Sequence, residues 1–475
     1  MYINGEWQSA ASGKTFESVN PATGEVLGSV PDGDRADTRR AIAASAAALP
    51  DWRARNAYER ADILVTAHRL MLERREDLAT LMTKEQGKPL RMARNEVGYA
   101  ADFLLWFGEE AKRVYGETIP SARTDQRFLV LQQPVGVCAA ITPWNYPISM
   151  ITRKVAPAVA AGCTSVLKPA EQTPLCAVET FRVFADAGVP PGVVNLVTCS
   201  DPELFADEVL AEPTVRKISF TGSTDVGKMI AARAGATMKR VSMELGGHAP
   251  FLVFPDADPE HAAKGAALVK FLNTGQACIC PNRFIVHSSI AQEFIVALRS
   301  RVEKLVAGDG LAKGTTIGPL IDDVALKKMT RQVDDAVDKG AQVVVGGTRL
   351  EGAGFGGGAF FAPTILSGVS ADMLICSEET FGPIAPVLTF DDEEEAVAMA
   401  NATTYGLAGY IYTRDISRAF RVAESLDFGM IGINDINPTS AAVPFGGIKE
   451  SGLGREGARA GLSEYLDTKV LGIAL

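Results

Sequence analysis

Hydrophobic and polar positions follow a helical period across residues 35–115. Ile63, Ala67, Leu70 and Met71 recur at intervals of three or four residues, and charged side chains occupy the other faces. This pattern is typical of amphipathic helices that pack one apolar face against a core. We therefore predict a mostly helical N-terminal region, and we assign no chemistry to it.

From residue 127 onward, β-forming runs alternate with helical segments. The stretch RFLVLQQPVGVCAAIT is predicted to be extended chain that leads into a loop at 142–147. Three further strands and one helix follow: CTSVLK (163–168), VVNLV (193–197), VRKISF (215–220) and the helix STDVGKMIAARAG (223–235). Alternation of this kind predicts a parallel sheet with helices on both faces.

A second alternating region runs from about residue 248 to 445. Its predicted strands are APFLVF (249–254), RFIVH (283–287), AQVVVGG (341–347), IAPVLTF (384–390) and LAGYIYT (407–413). We therefore expect an α/β protein with two doubly wound domains. The tail, residues 462–475, ends in a β-prone run that we expect to pair outside its own domain.

Composition excludes several classes of function. The chain has 475 residues and a net charge of −10, which argues against a nucleic-acid partner. No run approaches the roughly 20 apolar residues of a membrane span, and the N-terminus lacks the pattern of a signal peptide. The seven cysteines are scattered, as is typical of a reducing cytosol, so we expect a cytoplasmic protein. No histidine is spaced as a zinc ligand, and we predict no metal.

Two short segments carry possible nucleotide-binding signals. The glycines of SFTGSTDVG, Gly222 and Gly227, lie where a strand gives way to a helix, a place suited to a pyrophosphate. Lys168 and Glu171 follow an earlier strand, and a carboxylate there can accept both hydroxyls of a ribose. A plain turn and a plain surface loop are the alternatives. In a dinucleotide site, Glu171 would repel a 2′-phosphate and favour NAD over NADP.

Four further segments bear groups suited to covalent catalysis. Glu244 lies between apolar residues and a Gly-Gly pair, Asn145 lies in a loop between two prolines, and Glu379 lies in a turn. Cys278 and Cys280 lie in NTGQACICPNRF, where a metal site, a disulfide and a nucleophile are the competing interpretations. Each group alone is more often structural. Together they provide the groups needed for covalent oxidation of an aldehyde.

The motifs and their order resemble the aldehyde dehydrogenase superfamily over essentially the whole chain. The matching motifs are PWNYP (143–147), KPAE (168–171), FTGST (220–224), ELGG (244–247), GQAC (275–278), ETFGP (379–383) and PFGG (444–447). The resemblance implies two Rossmann-type α/β domains and a small bridging element. By this resemblance, 1–115 with 137–246 would bind NAD, 247–445 would be catalytic, and 116–136 with 446–475 would pair subunits into dimers or tetramers.

The resemblance also implies a role for each motif. The Cys278 thiolate would attack the aldehyde, Asn145 and the Cys278 N–H would hold the oxyanion, and hydride transfer to the nicotinamide would leave a thioester. Glu244 would activate the hydrolytic water, and Lys154 would lie nearby as a possible proton relay. Residues implied in cofactor contact are Trp144, Lys168, Pro169, Ala170, Glu171, Gly222, Ser223, Leu245, Glu379 and Phe381.

The substrate is expected to be a short semialdehyde, with succinate semialdehyde first. Arg153 matches an arginine that binds a distal carboxylate in succinate-semialdehyde dehydrogenases, and Tyr146, Ser440 and Phe445 would line the substrate tunnel. The alternative for Arg153 is a surface or ion-paired arginine. Leu272 stands where those enzymes carry a second arginine. Lactaldehyde, glycolaldehyde, glutarate-semialdehyde and oxoglutarate-semialdehyde dehydrogenases are therefore alternatives, and a non-redox thiol hydrolase or a silent binding protein are more distant ones.

Cys280 has two interpretations once Cys278 is taken as the nucleophile. It is either a small buried filler or a partner that forms a reversible regulatory disulfide with Cys278, as a similar Cys-x-Cys in succinate-semialdehyde dehydrogenases suggests.

Overall fold

The computed structural model describes residues 1–352 and 354–475. The N-terminal region is helical, as predicted, and its helices span Arg35–Ala54, Ala57–Glu73, Arg75–Gln86 and Leu90–Ala111. Ala67, Leu64 and Met71 are fully buried, so the apolar stripe of the second helix faces the core. Asp34 and Asn56 cap the first two helices by accepting hydrogen bonds from main-chain N–H groups.

The first sheet has eight strands, and five consecutive ones are parallel. From one edge to the other they are Gly452–Leu453, Arg240–Glu244, Val215–Thr221, Val137–Ile141, Thr164–Lys168, Val194–Leu196, Tyr2–Ile3 and Glu6–Trp7. The parallel strands run from Arg240–Glu244 to Val194–Leu196. This confirms the predicted doubly wound arrangement.

Helices that link these strands cover the sheet. They span Ser149–Ala161, Pro174–Asp186, Pro202–Ala211 and Thr224–Gly235. Thr173 is the N-cap residue of the second, but its hydroxyl makes no capping hydrogen bond. The position of this helix start is set by Pro174, whose fixed φ suits the first helical residue.

The second sheet has seven strands, six of them parallel. In order they are Gln342–Val345, Thr364–Ser367, Ile384–Phe390, Pro281–His287, Ala249–Val253, Ala408–Tyr412 and Met430–Ile433. Its helices span Pro259–Lys270, Ser288–Val302, Asp323–Asp338, Glu393–Asn401 and Ile416–Ser425. The strands Thr364–Ser367 and Met430–Ile433 were not predicted, because four residues are too few to show a period.

Three smaller features complete the fold. The C-terminal strand Leu466–Ala474 pairs antiparallel with Gln126–Pro134, which also pairs with Glu117–Pro120. The expectation that the tail pairs outside its own domain therefore agrees with this three-stranded sheet. A hairpin joins Thr15–Val19 to Val26–Pro31, and one short helix spans Ala458–Ser463. Single 3-10 turns lie at Leu272–Gly275, Leu374–Cys376 and Lys449–Ser451.

The bridging element differs from the prediction in one place. Within 446–475, the strand Gly452–Leu453 pairs with Met243 and Glu244 of the first sheet rather than with the three-stranded sheet. The strand Gly452–Leu453 thus covers the edge of Arg240–Glu244 that no other strand of the first sheet pairs with. The wider division into three domains stays a prediction. Within residues 1–352 and 354–475, no helix combines the length and apolar character needed to cross a membrane.

Candidate active site

The predicted site residues follow four neighbouring parallel strands of the first sheet. The loop that carries Asn145 follows Val137–Ile141, and Lys168 ends the next strand. Gly222 and Ser223 follow Val215–Thr221, and Glu244 ends the strand beside it. Since parallel strands end on the same edge of a sheet, all four segments meet there, which is where ligands bind in open α/β sheets.

The loop that carries Asn145 is held against the cysteine loop. Asn145 is buried, and its Nδ2 donates to the main-chain O of Gln276 at 3.1 Å. The main-chain O of Asn145 accepts from Asn273 Nδ2 at 3.0 Å. Because one N–H of the Asn145 amide is used in this way, the other is free to donate to a developing oxyanion.

Cys278 lies at the junction of the two sheets. Its main chain packs against Gly247 so closely that a Cβ at Gly247 would lie 2.3 Å from the Cys278 carbonyl O. Burial, and then the nearby charge of Glu244, raise the pKa of the Cys278 thiol well above its usual range. To act as a nucleophile, the thiol would have to give up its proton to a base.

Glu244 is the strongest candidate for that base. It is 4% exposed, and within the described part of the chain neither carboxyl oxygen has a hydrogen-bond partner. Burial, and then the charge of Glu456, raise its pKa to about 8. A carboxyl group with this pKa takes up and releases protons near neutral pH, as a general base must.

A buried cluster of charged side chains lies beside Glu244. Glu456 Oε2 lies 2.8 Å from Arg153 Nη2, and Glu456 Oε1 accepts from Lys154 Nζ. Lys154 Nζ also donates to Ser219 Oγ at 3.1 Å. Burial lowers the pKa of Lys154 despite the opposing charge of Glu456. Lys154 thus lies where it was predicted, with a partner that the sequence analysis did not identify.

Arg153 is ion-paired but does not lie on the surface, and its role as a carboxylate ligand stays a prediction. It is 2% exposed and ion-paired with Glu456, yet its Nε has no hydrogen-bond partner among the described residues. Its guanidinium lies 4.0 Å from the centre of the Phe445 ring and 5.6 Å from that of Phe103. Burial opposes the charge, but the effects of Glu456, followed by Tyr99, Glu244 and Cys278, together outweigh burial and raise the pKa of Arg153. The charged guanidinium of Arg153 therefore lies between the aromatic rings of Phe445 and Phe103.

The predicted pyrophosphate segment has little room for side chains. A Cβ at Gly222 would lie 2.5 Å from the Phe220 ring, and one at Gly227 would lie 2.2 Å from Leu245 Cδ2. Ser223 is the N-cap of the helix Thr224–Gly235, and its side chain makes no capping hydrogen bond. A helix N-terminus with close main-chain access suits a phosphate group.

The predicted ribose segment holds an ion pair. Lys168 Nζ donates to Glu171 Oε2 at 2.8 Å, and the lysine is buried while the Glu171 side chain is 37% exposed. Pro169 and Ala170, between them, are also buried. Lys168 and Glu171 therefore present one carboxylate to solvent, and these residues fit a ribose with two free hydroxyls.

Glu379 lies beside the Gly-Gly pair that follows Glu244 and Leu245. Its Oε1 accepts from Gly247 N at 2.9 Å, and a Cβ at Gly246 would lie 2.8 Å from its Oε2. Phe381 has a positive φ of 52° and packs edge-on against Trp144 at 5.6 Å. The structure thus brings together these residues from two sheets, in an arrangement that suits a nicotinamide ribose and ring.

The predicted tunnel residues occupy different environments. Phe445 is buried and exchanges two main-chain hydrogen bonds of 2.8 Å with Glu456, which places its ring on Arg153. Tyr146 is half-buried, and its ring faces Lys88 Nζ at 4.1 Å. Ser440 is exposed, and its Oγ accepts from Ala442 N at 3.3 Å. Of these, Phe445 has the most direct contact with the Arg153 group.

Cys280 points into the core. It is 1% exposed, and its thiol donates to the main-chain O of Val269 at 3.1 Å. Burial raises the pKa of Cys280 to about 11. Both cysteines of NTGQACICPNRF carry free thiols in this structure.

Sequence reasoning missed several residues of the site. Glu456 lies in the segment GREG (454–457), which has no unusual composition. Lys88 lies between a glycine and a proline, and this is the only local sign that its position is fixed. Tyr99 lies on the helix Leu90–Ala111 with a buried hydroxyl that has no partner in the described part of the chain. Its ring lies 4.9 Å from Phe103, which Arg153 also contacts.

The fold and the residues at its strand ends are those of an NAD(P)-dependent oxidoreductase. The chain belongs to the aldehyde dehydrogenase family, whose sequence profile matches residues 7–471. It is 51% identical over 474 residues to glutarate-semialdehyde dehydrogenase of Pseudomonas putida, covering 100% of this chain and 97% of that protein. It is 51% identical over 473 residues to the NADP(+) succinate-semialdehyde dehydrogenase of Escherichia coli, again covering 100% and 97%.

Solved structures give the same result. The crystal structure of succinate-semialdehyde dehydrogenase from Burkholderia pseudomallei matches with a TM-score of 0.98 at 49% identity, covering 100% of this chain and 97% of that one. The expected aldehyde dehydrogenase fold and activity class are therefore confirmed.

Proposed function

We propose that this enzyme oxidises a short semialdehyde with a distal carboxylate to the dicarboxylic acid, and that succinate semialdehyde is its preferred substrate. The observation that carries the proposal is the buried Arg153, whose Nε lacks a partner and whose guanidinium lies on the Phe445 ring. A buried, unpartnered guanidinium N–H is costly unless a ligand satisfies it, and a carboxylate is the ligand that arginine binds best.

The charges around the site support an anionic substrate. Arg153 and Lys154 share the single carboxylate of Glu456. Glu244, with a pKa of about 8, is mostly uncharged at neutral pH. Arg153, whose pKa is raised, keeps its charge, and in a dry environment its Coulomb attraction to a substrate carboxylate is stronger than in water.

Tyr99 supports the same conclusion from another helix. Its ring and the guanidinium of Arg153 both lie against Phe103, and its hydroxyl has no partner among the described residues. A hydroxyl donor here can partly replace the hydrogen bonds of the second arginine, whose position is occupied by Leu272 in this chain. Compared with arginine, leucine also leaves more room, so the longer glutarate semialdehyde is the second candidate, in line with the name of the Pseudomonas putida relative.

The residues act in a defined order in the proposed reaction. Glu244 accepts the thiol proton of Cys278, Sγ bonds to the aldehyde carbon, and Asn145 Nδ2 and the Cys278 N–H donate to the oxygen that becomes negative. When bound, the nicotinamide supplies the hydride acceptor. After passing the thiol proton to solvent, Glu244 takes a proton from the water that attacks the acyl carbon on Cys278, and the C–S bond breaks to release the acid and restore the thiol.

For the cofactor, we propose NAD in preference to NADP. The partly exposed carboxylate of Glu171 stands at the predicted ribose segment and would repel a 2′-phosphate. Since the Escherichia coli relative is named as an NADP(+) enzyme, the two cofactors have to be compared directly.

We also propose that the protein assembles as a homodimer or homotetramer in the cytoplasm. The strand Leu466–Ala474 exposes Val470, Leu471 and Ile473 on the three-stranded sheet. An exposed apolar strand of this kind is usually covered in an assembly.

A redox role for Cys280 stays a proposal. A disulfide with Cys278 would require the hydrogen bond from Cys280 to Val269 to break and the loop to rearrange. If it forms, peroxide inactivates the enzyme, dithiothreitol restores it, and the Cys280→Ala variant loses the recovery. An equal response of the two proteins would show that Cys280 only fills space.

Steady-state kinetics on the wild type test the proposal. We expect kcat/KM to be highest for succinate semialdehyde or glutarate semialdehyde, lower for lactaldehyde and glycolaldehyde, and lowest for butanal and propanal, with NAD preferred to NADP. Equal values for succinate semialdehyde and butanal would contradict carboxylate recognition. No NADH formation with any aldehyde would favour a thiol hydrolase.

A further inference from the structure

A buried ion pair lies beneath the loop that carries Asn145 and outside the predicted catalytic set. Lys88 follows the helix Arg75–Gln86, and Glu96 lies on the helix Leu90–Ala111. Lys88 is 1% exposed and Glu96 is 3% exposed, and Lys88 Nζ donates to Glu96 Oε2. Neither charge has an evident role in the chemistry described above. Since burying two charges is costly, the position of the pair requires an explanation.

The Lys88 ammonium makes three close contacts. Besides Glu96, Nζ donates to the main-chain O of Asn145 at 2.6 Å and faces the ring of Tyr146 at 4.1 Å. An ammonium has three N–H groups, and these contacts account for a carboxylate, a carbonyl and an aromatic face. Lys88 thus contacts both the oxyanion donor residue and the next residue of the loop.

Glu96 fixes the other end of the same segment. Its Oε1 accepts from the main-chain N–H groups of Ile148 at 3.0 Å and Ser149 at 3.2 Å. These are the first donors of the helix Ser149–Ala161, which carries Arg153 and Lys154 and has no side-chain cap of its own. A carboxylate at a helix start satisfies free N–H groups and favours the helix dipole.

We propose that Lys88 and Glu96 are positioning residues that hold the Asn145 amide at the distance from Cys278 that oxyanion binding requires. The pair acts as a clamp on residues 145–149, one member binding each end. The clamp rests on the proposed function of Asn145 as an oxyanion donor. It explains why two charges are buried beneath this loop, away from solvent.

The first experiment compares Lys88→Met with Lys217→Met in the full-length enzyme. Lys217 is also fully buried and bonded to Ser242, but it lies near the start of its strand, away from the loop. Lys88→Met is expected to lower kcat and the rate of the NADH burst about tenfold to a hundredfold, as a displaced oxyanion donor does. The Kd for NAD and the rate of Cys278 alkylation by iodoacetamide, which forms no oxyanion, should stay within about twofold. Lys217→Met should keep the wild-type burst.

A double-mutant cycle then tests whether Lys88 acts through Asn145. If it does, Lys88→Met in an Asn145→Ala background should cost less than about threefold, because the group it positions is already absent. The same loss in both backgrounds would overturn the proposal, and so would a wild-type burst in Lys88→Met. An Asn145→Ala variant with full activity would instead refute the role of Asn145 in the proposed function.

Glu96→Gln covers the case in which Lys88→Met does not fold. Glutamine keeps an oxygen for Ile148 and Ser149 but removes the charge that anchors Lys88. We expect the same pattern with a smaller loss of the burst, about threefold to tenfold, and an unchanged alkylation rate. An unchanged burst in Glu96→Gln, or an equal loss of burst and alkylation, would overturn the proposal.

Discussion

Replacing Glu456 by glutamine is expected to destabilise the site and to move its pH dependence at the same time. Arg153 and Lys154 are both buried and share this one carboxylate, with Oε2 of Glu456 at 2.8 Å from Arg153 Nη2. Removing one partner of a buried ion pair costs about 3–5 kcal/mol, because a charge is left uncompensated. Lys154 can relieve part of this cost by losing its proton, so we expect about 3 kcal/mol at pH 7.

The effect on Glu244 has a definite sign. Glu456 is the second cause, after burial, of the raised pKa of Glu244, because a nearby negative charge disfavours a second one. Without Glu456, the pKa of Glu244 should fall below its value of about 8, and the acidic limb of kcat/KM should move to lower pH by the same amount.

Urea unfolding, monitored by tryptophan fluorescence, measures the change in stability. Steady-state kinetics from pH 6 to 9 measure the shift of the acidic limb of kcat/KM. Glu464→Gln is the matched control, since Glu464 is 25% exposed and lies 3.7 Å from buried Lys217. We expect the control to lose less than about 1 kcal/mol. If Glu456→Gln is as stable as the control and its pH limb is unmoved, the buried cluster is not coupled in the way described.

Two further predictions concern the base and the cysteine loop. Since Glu244 is active as a carboxylate and has a pKa of about 8, kcat/KM of the wild type should rise as pH increases through that value. Glu244→Gln should form acyl-enzyme more slowly than the wild type and should release acid at least about a hundredfold more slowly. A pH-independent wild type would contradict this. Gly275→Ala should abolish activity and lower stability, because Gly275 has φ of 76° and a Cβ would lie 2.1 Å from the main-chain O of Gly382. Gly235→Ala, with open space around the position, should behave as wild type in thermal unfolding and NADH assays. Equal behaviour of the two variants would show that the cysteine loop can adapt.

Much of the fold could be predicted because its strands are long and apolar. The strand Ala249–Val253, for example, is buried on both faces, so its sequence APFLV is a continuous apolar run. Met430–Ile433 and Gly452–Leu453 could not be predicted, since they are short and glycine-containing and exist only because a neighbouring strand offers its edge.

The site was predictable where a motif carries its chemistry locally. Asn145, Cys278 and Glu244 lie in glycine-rich or proline-rich segments whose unusual composition is visible in the sequence. Glu456 lies far along the chain from Lys154, and Lys88 lies far from Asn145, and their charges resemble those of ordinary surface residues. Only the tertiary structure shows that they are buried and paired.

The central claim is that Arg153 recognises the distal carboxylate of the substrate. The most direct measurement is the ratio of kcat/KM for succinate semialdehyde to that for butanal, in the wild type and in Arg153→Leu. A charged hydrogen bond contributes about 1.5–3 kcal/mol, so the ratio should fall about tenfold to a hundredfold in the variant. An equal loss for both aldehydes would contradict the account and leave Arg153 as a structural partner of Glu456.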